Sequence, residues 1–135
     1  MKIVLDTNIL LVIISRRSPD HLLFEALLEG GFDLCVSTEI LLEYEEIIGR
    51  EMGADFAAEV IDLILELPNI HRVERYIKWH LLGDADDNKF PDCAIAAGAD
   101  YLVSEDHDFR PLNMIPFPKV NLMRKKEFVN LLNAI

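Results

Sequence analysis

The chain is 135 residues long, 51% hydrophobic and 27% charged. That is the make-up of one globular domain with a packed core, and it excludes a disordered tail, a collagen-like repeat and a disulfide-dense scaffold. Lysine and arginine number 13 against 24 aspartates and glutamates, a net charge of −11, which disfavours a nonspecific nucleic-acid coat and suits cation binding or a basic protein partner. A nucleic-acid substrate stays compatible with this balance where bound divalent ions bring the local positive charge.

The longest apolar run, residues 9–14, is far shorter than the roughly 18 residues of a membrane span, and the first ten residues hold an acid and no small-residue cleavage site. A cytoplasmic chain with no membrane association is expected. Cys35 and Cys93 lie far apart without a ligand-spaced partner, which predicts two core thiols in a reducing compartment rather than zinc ligands.

In chain order, Ile3, Val4 and Leu5 run into Asp6 as an apolar segment too short for a helix, a strand buried on both faces. Residues 9–14 and 21–28 carry helical apolar spacing, separated by a polar segment containing Pro19, and Gly30 with Gly31 ends the second helix. Residues 32–36 predict another strand, after which Ser37 or Thr38 caps a helix running to about Gly49. A helix over 54–67 stops at Pro68, and 70–73 form a short strand. Residues 76–82, with Trp79, show no clear period. The acidic stretch 84–88 reads as a loop, with Asp87 or Asn88 capping a helix over 89–99 whose first turn accepts Pro91. Residues 101–103 form a strand leading to Ser104 and Asp106, and 119–123 a last strand before a closing helix to Leu132. Such alternation predicts an α/β fold, a parallel sheet with helices on both faces, in which ligands gather at the carboxyl ends of the strands near the switch in strand order.

Asp6 and Asp106 each follow an apolar strand, where a partly desolvated carboxylate is costly unless paired or metal-bound. On the helix after Ser37, Glu43 and Glu45 border opposite edges of the stripe formed by Ile40, Leu41, Tyr44, Ile47 and Ile48, and periodicity does not choose between them. Asp92, in the first turn of its helix, shares a face with Ile95, Ala96 and Ala99 and so points inward. Asp87 is the one member of the acidic loop close enough to a helix start to keep, and Asp108 lies in a turn two residues after Asp106. Converging at one sheet edge, Asp6, Glu43 or Glu45, Asp92 and Asp106 require divalent cations, and oxygen-only ligands imply Mg2+ or Mn2+. One or two such ions, a pair lying about 4 Å apart, would hydrolyse a phosphodiester. Asn8 is placed to orient a water or ligand, Ser104 to support the Asp106 loop, and Lys89 and Arg16 to contact phosphate. No glycine-rich phosphate loop or nucleophile elbow is present.

Five segments carry a resemblance to the PIN-domain ribonucleases, especially the toxins of bacterial and archaeal toxin–antitoxin pairs. They are Val4 to Asn8, Ser37 through Glu43 and Tyr44, Asp86 to Phe90, Asp92 to Ala97, and Ala99 to Asp106. The resemblance implies Asp6, Glu43, Asp92 and Asp106 as catalytic ligands of magnesium or manganese, and it favours Glu43 over Glu45. It further implies a three-layer α/β/α sandwich with a central five-stranded parallel sheet, RNA as substrate, a homodimer, and inhibition by an antitoxin protein. Asp87, in the Asp86 to Lys89 segment, is a ligand or an outer acid by the same resemblance, and Asp108 an outer one. The alternative is a catalytically inactive PIN-like module that docks a protein or RNA partner.

Overall fold

The computed structural model describes residues 1–134. Five strands form one all-parallel sheet in the order β3-β2-β1-β4-β5, where β1 is Lys2–Leu5, β2 Asp33–Val36, β3 Ile70–Arg72, β4 Tyr101–Val103 and β5 Leu122–Met123. The three central strands are continuous apolar runs, because helices cover the sheet on both faces and neither face needs polar residues. Ile3, Val4, Leu5, Leu34, Cys35, Val36, Leu102 and Val103 are all fully buried. From β1 the chain winds outward through β2 to β3, then returns to place β4 on the other side of β1. The strand order therefore reverses between β1 and β4, which opens a crevice at their carboxyl ends.

Among the described residues, six α-helices complete a three-layer α/β/α sandwich: α1 Thr7–Ile13, α2 His21–Leu28, α3 Thr38–Met52, α4 Ala54–Glu66, α5 Lys89–Ala97 and α6 Lys125–Asn133. Ser37 caps α3 by accepting the Ile40 amide at 3.3 Å. Gly53, at φ +98°, makes the break between α3 and α4, and Gly98, at φ +63°, ends α5 in the left-handed conformation that glycine adopts without strain. Tyr44 is fully buried and donates its hydroxyl to the Leu5 carbonyl at 2.5 Å, which ties α3 to the end of β1 and sets the rotation of the helix. No helix among the described residues is long and apolar enough to cross a membrane.

Several boundaries differ from the sequence reading for local reasons. The first helix begins at Thr7 rather than residue 9, since the Asp6 carbonyl already accepts the amides of Ile9 and Leu10. The last strand is only Leu122–Met123. Residues His107–Met114, expected as a turn, form a 3-10 helix that starts when the Asp106 carboxylate accepts the Asp108 amide. Residues 76–82 form neither helix nor strand, with Tyr76 and Ile77 exposed and Trp79 half-buried. Asn88 does not cap α5; it turns back to hold the preceding loop.

Candidate metal centre

The centre grows from the two strands that flank the crevice. Asp6 leaves β1 with its amide bonded to the Val103 carbonyl of β4, so the backbone of the two strands stays paired up to the acidic residue. Ser104 then joins the two strand ends: its hydroxyl donates to Asp6 Oδ2 at 2.8 Å and accepts the Asp106 amide at 3.0 Å. Both Asp6 and Ser104 are buried, and Asp106 is exposed beyond them.

Glu43 reaches the same edge from α3, half-buried, while Glu45 is exposed. One of its oxygens, Oε2, accepts a short hydrogen bond from the Thr7 hydroxyl, and the other, Oε1, accepts from Lys89 Nζ at 2.7 Å. The same ammonium donates to Asp86 Oδ1 at 2.9 Å. Burial pulls the Lys89 ammonium down, but the hydrogen bonds and charges of Glu43 and Asp86 outweigh it and leave its pKa raised.

The third wall is the turn before α5, a 3-10 segment at Ala85–Asn88. Asn88 is buried and clamps it: its oxygen accepts the Leu82 amide at 2.9 Å, and its amide donates to the Leu82 and Asp84 carbonyls. This aims Asp87 at the loop after β4, where one carboxylate oxygen from each of Asp87, Asp106 and Asp108 lies within 4.8 Å of the others. Partial burial first, then the charges of Asp84, Asp106, Asp6 and Asp108, push Asp87 up to about 6. Asp6 is pushed up to about 6 mainly by burial, with Asp106 and Glu43 adding to it and the Ser104 hydroxyl and Thr7 amide opposing. A cation placed beside carboxylates so destabilised in their charged form would be favoured electrostatically.

These shifts have a sign that can be measured. Because the folded pKa of Asp6 lies above the ordinary 3.8, the folded state keeps a proton that the unfolded chain has released. The resulting stability is complete below about pH 4 and is lost as pH rises through about 6, roughly 3 kcal/mol for this group. In urea melts of the metal-free protein, wild type should therefore lose stability relative to Asp6→Asn by about that amount between pH 4 and pH 7. A difference that does not change with pH contradicts the expectation.

Asp92 is not one of the three converging acids and has other partners. It is 1% exposed, and its carboxylate accepts Arg75 Nη1 at 2.8 Å and the Trp79 amide at 3.2 Å. Arg75 also binds both oxygens of Glu39 on α3, at 2.8 and 2.6 Å. Asp92 is buried as its helical spacing predicts, but the residues read as sharing its face do not follow it inward: Phe90, Cys93 and Ala94 are buried, Ile95 and Ala99 are half-buried, and Ala96 is exposed. Asp92 is covered instead by the irregular segment after β3. Arg16 lines an apolar groove of about 600 Å³ to which none of these acids contributes, bounded by residues 14–17 after α1 and by residues of α2, α3 and α4, including Phe24, Met52, Phe56 and Leu63. Asn8 is exposed on the first turn of α1, and Cys35 and Cys93 are buried thiols pushed up to about 11 and about 12, chiefly by burial. Three residues of the network, Thr7, Arg75 and the inward-turned Asn88, carry no local signal that assigns their partners, which are distant in sequence for Thr7 and Arg75.

Fold and site together define an α/β domain with an acidic centre at the strand-order switch. A model of the PIN domain matches residues 2–108, and the chain belongs to the PIN-domain family. Its backbone is similar to a chain in the crystal structure of VapBC2 from Rickettsia felis bound to a DNA fragment from their promoter, with TM-score 0.62, 18% identity, and 92% of this chain and 98% of that one covered. It is also similar to a chain in the crystal structure of DNA-bound VapBC from Salmonella typhimurium, with TM-score 0.55, 15% identity and the same coverage of 92% and 98%. At these identities the likeness is one of fold. No curated protein matches the chain.

Proposed function

We propose that the protein is a magnesium- or manganese-dependent endoribonuclease acting in the cytoplasm as the toxin of a toxin–antitoxin pair. The observation that carries this reading is the approach of the Asp87, Asp106 and Asp108 carboxylates to within 4.8 Å, beside Asp6 and Glu43. The donors are carboxylate oxygens, with no thiol or imidazole among the three, which suits a hard divalent ion rather than zinc. Asp6, Asp87, Asp106 and Asp108 would hold the ion; Asp92, engaged by Arg75, leaves the set. Bound there, the ion supplies positive charge and Lewis acidity for phosphodiester hydrolysis.

The chain's own residues prepare that chemistry. Ser104 keeps Asp6 and Asp106 in one register, Asn88 holds the Asp87 turn, and Thr7 with Lys89 fixes Glu43. Asn8, exposed two residues after Asp6, and Arg110, exposed and lining a pocket with Asp106, are the contacts we assign to substrate water and phosphate. The antitoxin reading draws on the fold shared with the two VapBC complexes. The groove rimmed by Arg16 and Arg17 fits a partner segment with apolar side chains and acidic flanks. The family resemblance carries the same reading to a homodimer.

The test is cleavage of a labelled RNA pool by purified protein in manganese, magnesium or chelator, run beside Asp6→Asn. Metal-dependent cutting that disappears in the variant is expected. If the folded wild type cuts nothing under any condition, the protein is a PIN-like binding module instead.

A further inference from the structure

We propose that Lys89 is a built-in second cation of this centre: its ammonium occupies the Glu43 side of the acidic cluster, so that one divalent ion saturates the site and Glu43 shapes it without coordinating the ion. The inference rests on the metal-dependent reading above and concerns how many ions that site takes.

The geometry divides the acids into two groups. Asp87, Asp106 and Asp108 approach one another, and among the described residues none of the three is ion-paired with a cationic side chain. Glu43, by contrast, has both oxygens committed, one to the Thr7 hydroxyl and the other to the Lys89 ammonium at 2.7 Å. For Glu43 to ligate a metal, Lys89 would have to leave. Its side chain is only 10% exposed, packed at the start of α5, so it has little solvent to retreat into. A buried lysine without a carboxylate is costly, which makes the pair hard to open from either side. A dication placed against Glu43 would also meet the ammonium at contact distance and be repelled by it.

Position reinforces charge. Lys89 follows Asp87 by two residues in a turn clamped by Asn88, so the fixed cation and the carboxylate facing the mobile one move as a unit. The ammonium has three hydrogens, two of which are engaged by Glu43 and Asp86, and the third remains for a phosphate oxygen. A site built this way sets a positive charge permanently on one side of the substrate and recruits the other from solution.

Counting bound Mn2+ tests this, by isothermal titration calorimetry and by electron paramagnetic resonance of metal-free protein titrated with MnCl2. Wild type and Lys89→Arg are expected to bind one ion per chain. Lys89→Met should bind two, with spin coupling between them, and Lys89→Met combined with Glu43→Gln should return to one. Two ions on wild type, or one on folded Lys89→Met, overturns the proposal while leaving a metal-dependent nuclease intact. No ion on wild type overturns the metal reading itself and this inference with it. Should Lys89→Met fail to fold, Lys89→Gln, which removes the charge but keeps a hydrogen-bond donor for Glu43, takes its place in the same count: two ions are expected, and one overturns the proposal.

Discussion

Asp92→Asn is expected to destabilise the protein by about 3 kcal/mol and to leave Mn2+ binding unchanged. The carboxylate is 1% exposed and bonded to Arg75 and the Trp79 amide. Asparagine keeps the shape but not the charge, and it leaves a guanidinium that is itself only 12% exposed with Glu39 as its remaining anion. The surviving Glu39 pair is why the cost sits at the lower end of the range for breaking a buried ion pair. For a chain of this length that is a fall in melting temperature of about 10 °C. Had Asp92 belonged to the repelling acids, its neutralisation would raise the melting temperature in chelator. A rise, or a loss of metal binding without a loss of stability, returns Asp92 to the ligand set.

Asp87→Asn is expected to do the opposite on both counts. In chelator, removing this charge relieves first the cost of its partial burial and then its repulsion with Asp84, Asp106, Asp6 and Asp108. Discounted for the group's partial exposure, the gain is about 1 kcal/mol, a melting temperature higher by about 3 °C. In manganese the order reverses. At an ion concentration 100 times its dissociation constant, wild type gains about 2.7 kcal/mol from binding, and the variant, lacking one of the converging carboxylates, gains nothing. Its RNA cleavage should fall by more than the 10–100-fold that is typical of losing an outer partner. Melting curves of both proteins with and without metal check the crossing. Parallel curves would show that Asp87 is a solvated surface acid.

The contrast between these two aspartates shows where sequence reading stops. Asp6 and Asp106 were legible because an apolar run closing on an acid marks the end of a buried parallel strand, and strand ends are where an α/β sheet gathers ligands. Helical spacing carried the reading as far as Glu43 or Glu45. The choice between them depends on Thr7 and Lys89, which reach Glu43 from 36 and 46 residues away. For Asp92 the same spacing pointed to the wrong surroundings. It identifies which residues share a face, but it does not say that an irregular segment with Arg75 and Trp79 will cover that face and bury an acid there.

The sequence by itself determined the alternation of strands and helices, the apolar cores of the central strands and the strand-end acids, because local period and chain direction govern each of these. Tertiary structure alone decided which acids meet. Whether a carboxylate stands beside other carboxylates or beside an arginine depends on loops that approach through space, and the electrostatic cost of each arrangement is set by burial and neighbours that no local pattern encodes.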